Sequence, residues 1–146
     1  MLEVRKEGTR KFIKSVSNGK ELYQLSECYL QSPVQKKIYV KSNYFDRSML
    51  LAGETALAKQ SMLNFPKCTV FVLDKKCAKD ISKEYIVEPK FVTDNKYVEI
   101  ELWKYNPELY AVNGMVDIVS LVHSLKNIED ERIEIQIEEM MESYKW

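Results

Sequence analysis

A chain of 146 residues, 45% apolar and 30% charged with zero formal net charge, has the size and composition of one folded domain rather than a disordered tail. Its three cysteines, Cys28, Cys68 and Cys77, never form a C-x-x-C pair, which argues against a disulfide framework or a zinc knuckle. No apolar run approaches the ~20 residues of a membrane helix, and the charged start is unlike a secretory leader; a soluble, cytoplasmic protein with no membrane partner is expected.

In chain order, residues 11–16 have a strand-like pattern after a polar turn at Glu7-Gly8-Thr9. Asn18-Gly19 breaks that run. A helix is expected from about Lys20 to Leu30, with Leu22, Leu25 and Tyr29, and Tyr23 beside them, as one buried stripe. Ser32-Pro33 stops it, because the residue before a proline avoids helical angles. Residues 34–40 alternate as a strand, with Ile38 and Val40 on one side. Asp46 or Ser48 is placed to cap a second helix running to about Leu63, apolar over a wide face that includes Leu50, Leu51, Ala56, Leu57 and Met62.

Residues 68–73 form a continuous β-branched and aromatic run, the pattern of a central strand covered on both faces. A short polar helix is expected at 77–82, and Pro89 confines any strand within 84–92 to a sheet edge. Asn95-Lys96 turns into the clearest alternation in the chain, with Val98, Ile100 and Leu102 facing one way and Glu99, Glu101 and Trp103 the other. After an Asn113-Gly114 turn, 116–125 is helical on the spacing of Ile118, Leu121, Val122 and Leu125. A last helix over 130–145 would bury Ile133, Ile137, Met140, Met141 and Tyr144. Residues 132–137 also alternate like a strand, and the helix-forming 138–142 decides for the helix. The fold class expected is α/β (α+β), a mixed central sheet flanked by helices with a C-terminal helical pair.

The neutral total conceals two poles. Residues 1–42 carry nine Lys and Arg against four Glu, and residues 127–146 carry seven acids against Arg132 and Lys145. Such poles suit self-association or a nucleic acid met at the basic end, or are simply two solvated faces.

Catalytic sets are hard to assemble. The single histidine, His123, follows Val122 on a predicted helix and reads as a structural side chain. Four scattered glycines make no phosphate-cradling loop. The carboxylates leave one alternative, a metal-dependent nuclease of the restriction-endonuclease type, which needs acids and a lysine around Mg²⁺. Asp74-Lys75-Lys76 has the acid-x-Lys spacing, and Glu99-x-Glu101 projects two carboxylates from one face, with Trp103 where a lysine is wanted. Asp74, Lys76, Glu99 and Glu101 are therefore the alternative catalytic candidates. The main reading assigns no catalytic residue, cofactor or metal. Trp103, Tyr105, Tyr110, Tyr144 and Trp146 gather in the C-terminal third as interface candidates.

Several blocks resemble a family. Residues 6–12, Lys-Glu-Gly-Thr-Arg-Lys-Phe, resemble the second strand of a winged-helix wing, and 19–23 with 32–37 resemble the segment that follows it. Leu51-Ala52-Gly53-Glu54-Thr55-Ala56-Leu57-Ala58 is similar to a helix shared by bacterial winged-helix transcriptional regulators and AbiEi-type (type IV) antitoxins. Val116-Asp117-Ile118-Val119-Ser120-Leu121 with Asp130-Glu131-Arg132 resembles the group's closing pattern, Ile118 standing where a proline is usual. The resemblance implies a C-terminal regulatory domain with a nuclease-like core that has lost its active site. Residues 1–18 would be a remnant of the wing-like ribbon or an N-terminal strand, and 19–146 a single α/β domain. Only five residues precede Lys6, so the expectation is a partner-binding half, separated from its recognition helix or shortened.

The function expected is a non-enzymatic regulatory or interaction domain of a bacterial or phage-related regulator or antitoxin-like protein. It would bind a protein partner or form a homodimer, and Arg10, Lys11, Lys36 and Lys37 could lie along DNA phosphates. The alternatives are the nuclease and a phage-encoded inhibitor of a host defence complex.

Overall fold

Alternation along 98–103 builds the strand around which the larger part of the chain is arranged. In the computed structural model, which describes residues 2–44, 49–92 and 96–146, the chain falls into two compact units: Met1–Gln31 with Tyr144–Trp146, and Ser32–Ser143. The first of these units takes in the first helix as well as the ribbon.

In the first unit, β1 (Leu2–Glu7) pairs antiparallel with β2 (Arg10–Ser15), and α1 (Gly19–Ser26) runs into a 3₁₀ turn at Glu27–Tyr29. The side chain of Asn18 caps α1 by accepting the Glu21 N–H at 3.0 Å. Trp146 stacks on Tyr23 at 4.9 Å between ring centres and meets Tyr144 edge-on at 5.1 Å. The stripe expected to be buried is not: Leu25 and Tyr29 are exposed, Tyr29 at 81%.

The second unit is a mixed four-stranded sheet in the order β4 (Thr69–Asp74), β6 (Tyr97–Trp103), β3 (Val34–Lys41), β5 (Ile86–Val87). The central strand β6 runs parallel to β4 and antiparallel to β3, and β5 is a short edge just before Pro89. One face of the sheet buries Ile38, Val40, Phe71, Val98, Ile100 and Leu102. The other carries Val70, Val72 and Trp103, covered by α2 (Gly53–Gln60), α3 (Ile118–Leu125) and α4 (Glu131–Ser143) through Ala56, Leu57, Leu121, Leu125, Ile133 and Met140. Asp117 caps α3 through the Ser120 N–H.

The apolar run expected at the sheet centre, β4, ends the ladder instead. Its outer edge is not bare, because residues 50–52 lie against it: Ala52 N–H donates to Val70 O and Val72 N–H to Leu50 O, both at 3.1 Å. Leu50 and Leu51 are thus extended chain rather than helix, and α2 starts only at Gly53. The expected caps Asp46 and Ser48, like Asn95 of a predicted turn, lie outside the described residues. Past the end of α2, Met62 is 94% exposed, so it takes no part in the core. Asn113 and Gly114, with φ of 52° and 74°, make the tight turn that lets Val112 and Met115 exchange backbone hydrogen bonds. The ambiguous 132–137 stretch is helical. Among the described residues no helix is long and apolar enough to cross a membrane.

Candidate functional site

Because alternate residues of a strand share a face, Glu99, Glu101 and Trp103 project from β6 toward the α2 side of the sheet. The antiparallel register of β3 sets Lys37 opposite Glu101 and Tyr39 opposite Glu99. Four polar side chains therefore meet beneath the N-terminus of α2.

The Lys37 ammonium lies 2.7 Å from Glu99 Oε1 and 3.5 Å from Glu101 Oε1. The Tyr39 hydroxyl donates to Glu99 Oε2 at 2.9 Å, and the Trp103 indole N–H donates to Glu101 Oε2 at 2.9 Å. Glu101 is fully buried, at 0% exposure, whereas Lys37 keeps contact with solvent. Gly53 opens α2 with φ +51°, and a Cβ there would stand 2.9 Å from Val70 Cγ1 and 3.3 Å from Glu101 Oε1. The approach of the helix to the carboxylate thus requires glycine.

Burial pushes the Glu101 carboxyl above the ordinary range, opposed by the Trp103 hydrogen bond and the Lys37 charge. The Tyr39 hydroxyl is pushed up to about 12 by burial and by the negative charge and hydrogen bond of Glu99. For Lys37, burial lowers the ammonium's pKa, but the hydrogen bond to Glu99 and the charges of Glu99 and Glu101 outweigh it and the net direction is up. The cluster opens on a groove of about 620 Å³ lined by Lys37, Tyr39, Glu54, Phe65, Glu99 and Arg132, of both charge signs.

The acid-x-Lys pair is not part of this cluster. Asp74 stands opposite Trp103 and uses Oδ1 to accept the Lys76 N–H at 2.9 Å, capping the 3₁₀ turn Lys75–Asp80. The chain leaves the extended state there, so the period of two that would have brought Asp74 and Lys76 to one side is lost. Asp74 instead lines a separate depression with Leu50, Asn106 and Glu108. Of the four nuclease candidates only Glu99 and Glu101 come together. The lysine beside them is Lys37, reached across strands rather than along one. Each of the four carboxylate oxygens already lies within hydrogen-bond or ion-pair distance of a donor, and among the described residues no three acids, histidines or cysteines converge.

The other candidates scatter too. Trp103, expected at an interface, is sealed in the core at 0% exposure, its ring edge-on to Tyr105 at 5.6 Å. The Tyr105 hydroxyl is 2.7 Å from Ser120 Oγ, Tyr110 is exposed, and Tyr144 and Trp146 belong to the first unit. Among the DNA-phosphate candidates, Arg10 sits across from Glu7 and Lys11 across from Lys6, on opposite faces of the hairpin. Lys36 and Lys37, successive strand residues, line different depressions. His123 is buried in α3.

One feature was beyond sequence patterning. Val4 and Ile13 pair directly across the β1–β2 ladder, both exposed, with the like-charged pair Lys6–Lys11 next along the same face. Compared with models of protein families, with curated proteins and with solved structures, the chain finds no match.

Proposed function

We propose that this chain is a non-enzymatic interaction domain, of the kind found in bacterial or phage-related transcriptional regulators and antitoxin-like proteins, and that its first unit docks on a partner protein. One observation carries the reading: in that unit none of residues 3–31 and 144–146 is buried. A two-stranded hairpin is marginal alone in water, and ordering each residue costs about 1–2 kcal/mol of backbone entropy. Covering Val4 and Ile13 would contribute about 1.5–3 kcal/mol for each side chain fully buried.

The charges on this face support one choice of partner chemistry. Like charges directly opposed across a ladder are destabilising, so Lys6 and Lys11 favour a surface that is apolar at its centre and acidic at its rim. The opposite hairpin face offers less, since Arg5 already pairs with Glu7 at 2.9 Å. The Lys37–Glu99–Glu101 cluster is, in this reading, a buried ion network that fixes the β3–β6 register.

The test is photo-crosslinking in cells that express the protein, with benzoylphenylalanine placed at Ile13 and, as control, at the exposed Lys83 of the second unit. The expected result is one discrete protein adduct from position 13, absent from position 83 and abolished by Val4→Asp. Identical adduct patterns at the two positions, or an adduct that nuclease removes, would overturn the reading.

A further inference from the structure

The sheet face opposite the carboxylate cluster ends in a concentration of positive charge. Across the ladder, Lys36 of β3, Leu102 of β6 and Leu73 of β4 form one row. Strands lie ~4.8 Å apart, so Lys36 stands about two strand spacings from the point where β4 runs on into Asp74-Lys75-Lys76. Beyond it the 3₁₀ turn Lys75–Asp80 carries Lys76 and Lys79, three residues apart. In a helix with three residues per turn those two side chains eclipse each other and leave on the same side.

The outcome is an open depression of about 640 Å³ lined by Gln35, Lys36, Lys75, Lys76, Lys79 and Leu102. All four lysines are exposed, and among the described ion pairs none engages any of them. Among the described residues no acid lines the depression. Two acids flank these lysines along the chain: Asp74 is turned to the backbone of Lys76 and to another depression, and Asp80 ends the 3₁₀ turn without lining the hollow. Four ammonium groups around one hollow repel one another, and a site with one sign of charge concentrates counter-ions of the other.

We infer that this depression is a docking site for the phosphate backbone of a nucleic acid. Lysine serves here as a flexible point charge, suited to the spaced phosphates of a strand. A free nucleotide would call for the ordered amides of a glycine-rich loop, and the lining has no glycine. Such contacts give affinity without sequence information. The inference does not depend on the partner reading, since the two concern different units.

The experiment is a salt titration of binding to a short duplex of arbitrary sequence, between ~50 and ~200 mM salt, with the whole chain. The variant Lys36→Gln/Lys76→Gln/Lys79→Gln should flatten the slope of log K against log salt by about 2.7, roughly 0.9 for each phosphate contact removed. Its thermal midpoint should match the unaltered protein's, because these side chains are exposed. A charge-matched control, Lys59→Gln/Lys83→Gln/Lys90→Gln, should leave the slope in place. The proposal is overturned if the unaltered chain does not bind the duplex, or if the two variants flatten the slope equally. Displacement of the duplex by ATP, or by vesicles rich in anionic lipid, at equal phosphate concentration would also overturn it.

Discussion

Glu101 and its neighbours set the strictest local conditions in the molecule. A buried carboxylate needs its partners, and removing one member of such a pair costs about 3–5 kcal/mol. Lys37 is partly exposed, so the lower end applies: Lys37→Met should destabilise by about 2–3 kcal/mol at neutral pH, measured by urea denaturation. The pH dependence follows from the direction of the Glu101 shift. With its folded pKa raised, the folded state holds the proton more tightly, so this group's contribution falls as pH rises from the ordinary carboxylate range through the raised value. Losing the Lys37 charge removes a lowering influence, so in Lys37→Met that decline should extend to higher pH. A parallel pH profile for the two proteins would contradict the pairing. At the alkaline end, Tyr39 is pushed up to about 12, so its contribution is lost as pH climbs from about 10 through 12. Tyr39→Phe should shorten that decline, leaving the part due to Lys37. Gly53→Ala should cost about 2–5 kcal/mol, since a left-handed φ and a Cβ 2.9 Å from Val70 combine. The partnership of these acids with Lys37 and Tyr39 was not read beforehand. The acids were visible as Glu99-x-Glu101, but their lysine came from a strand some sixty residues away, and only the register of β3 on β6 joins them. The signal existed in principle: Lys37 and Tyr39 alternate with Ile38 and Val40 just as Glu99 and Glu101 alternate with Ile100 and Leu102.

Among the elements, strands were the most legible, because alternation fixes both their faces and their direction of burial. β3 and β6 fall where their patterns place them. Boundaries set by tertiary contacts were not legible. Residues 50–52 look helical by apolar content yet run extended, because the open edge of β4 offers backbone partners that a helix start could not use. For α4 the competing periods of 132–137 yield a direct prediction. In the helix Ile133 is buried in the core and Ile135 is exposed. Ile133→Ala should then cost about 2–4 kcal/mol and Ile135→Ala no more than about 0.5 kcal/mol, read as shifts in urea midpoint. Equal losses would mean that the two face the same way, as they would in a strand. α1 teaches something different. The helix expected to reach Leu30 ends at Ser26, Tyr29 falls in the following 3₁₀ turn, and the stripe expected to be buried is not: an apolar spacing shows that a face favours cover, not that the same chain provides it.

Taken as a whole, the molecule joins a unit with two buried clusters to one in which none of residues 3–31 and 144–146 is buried. That contrast underlies the proposed role, and it was invisible in composition, since apolar residues are spread evenly along the chain. Hydrogen exchange of the isolated protein tests it most directly. Amide protection tracks the free energy of local opening. The account predicts that amides of β1 and β2 exchange with little protection while those of β6 and its neighbours are protected up to the stability of the second unit. Protection of the hairpin equal to that of β6, in a monomeric sample without any partner, would contradict it.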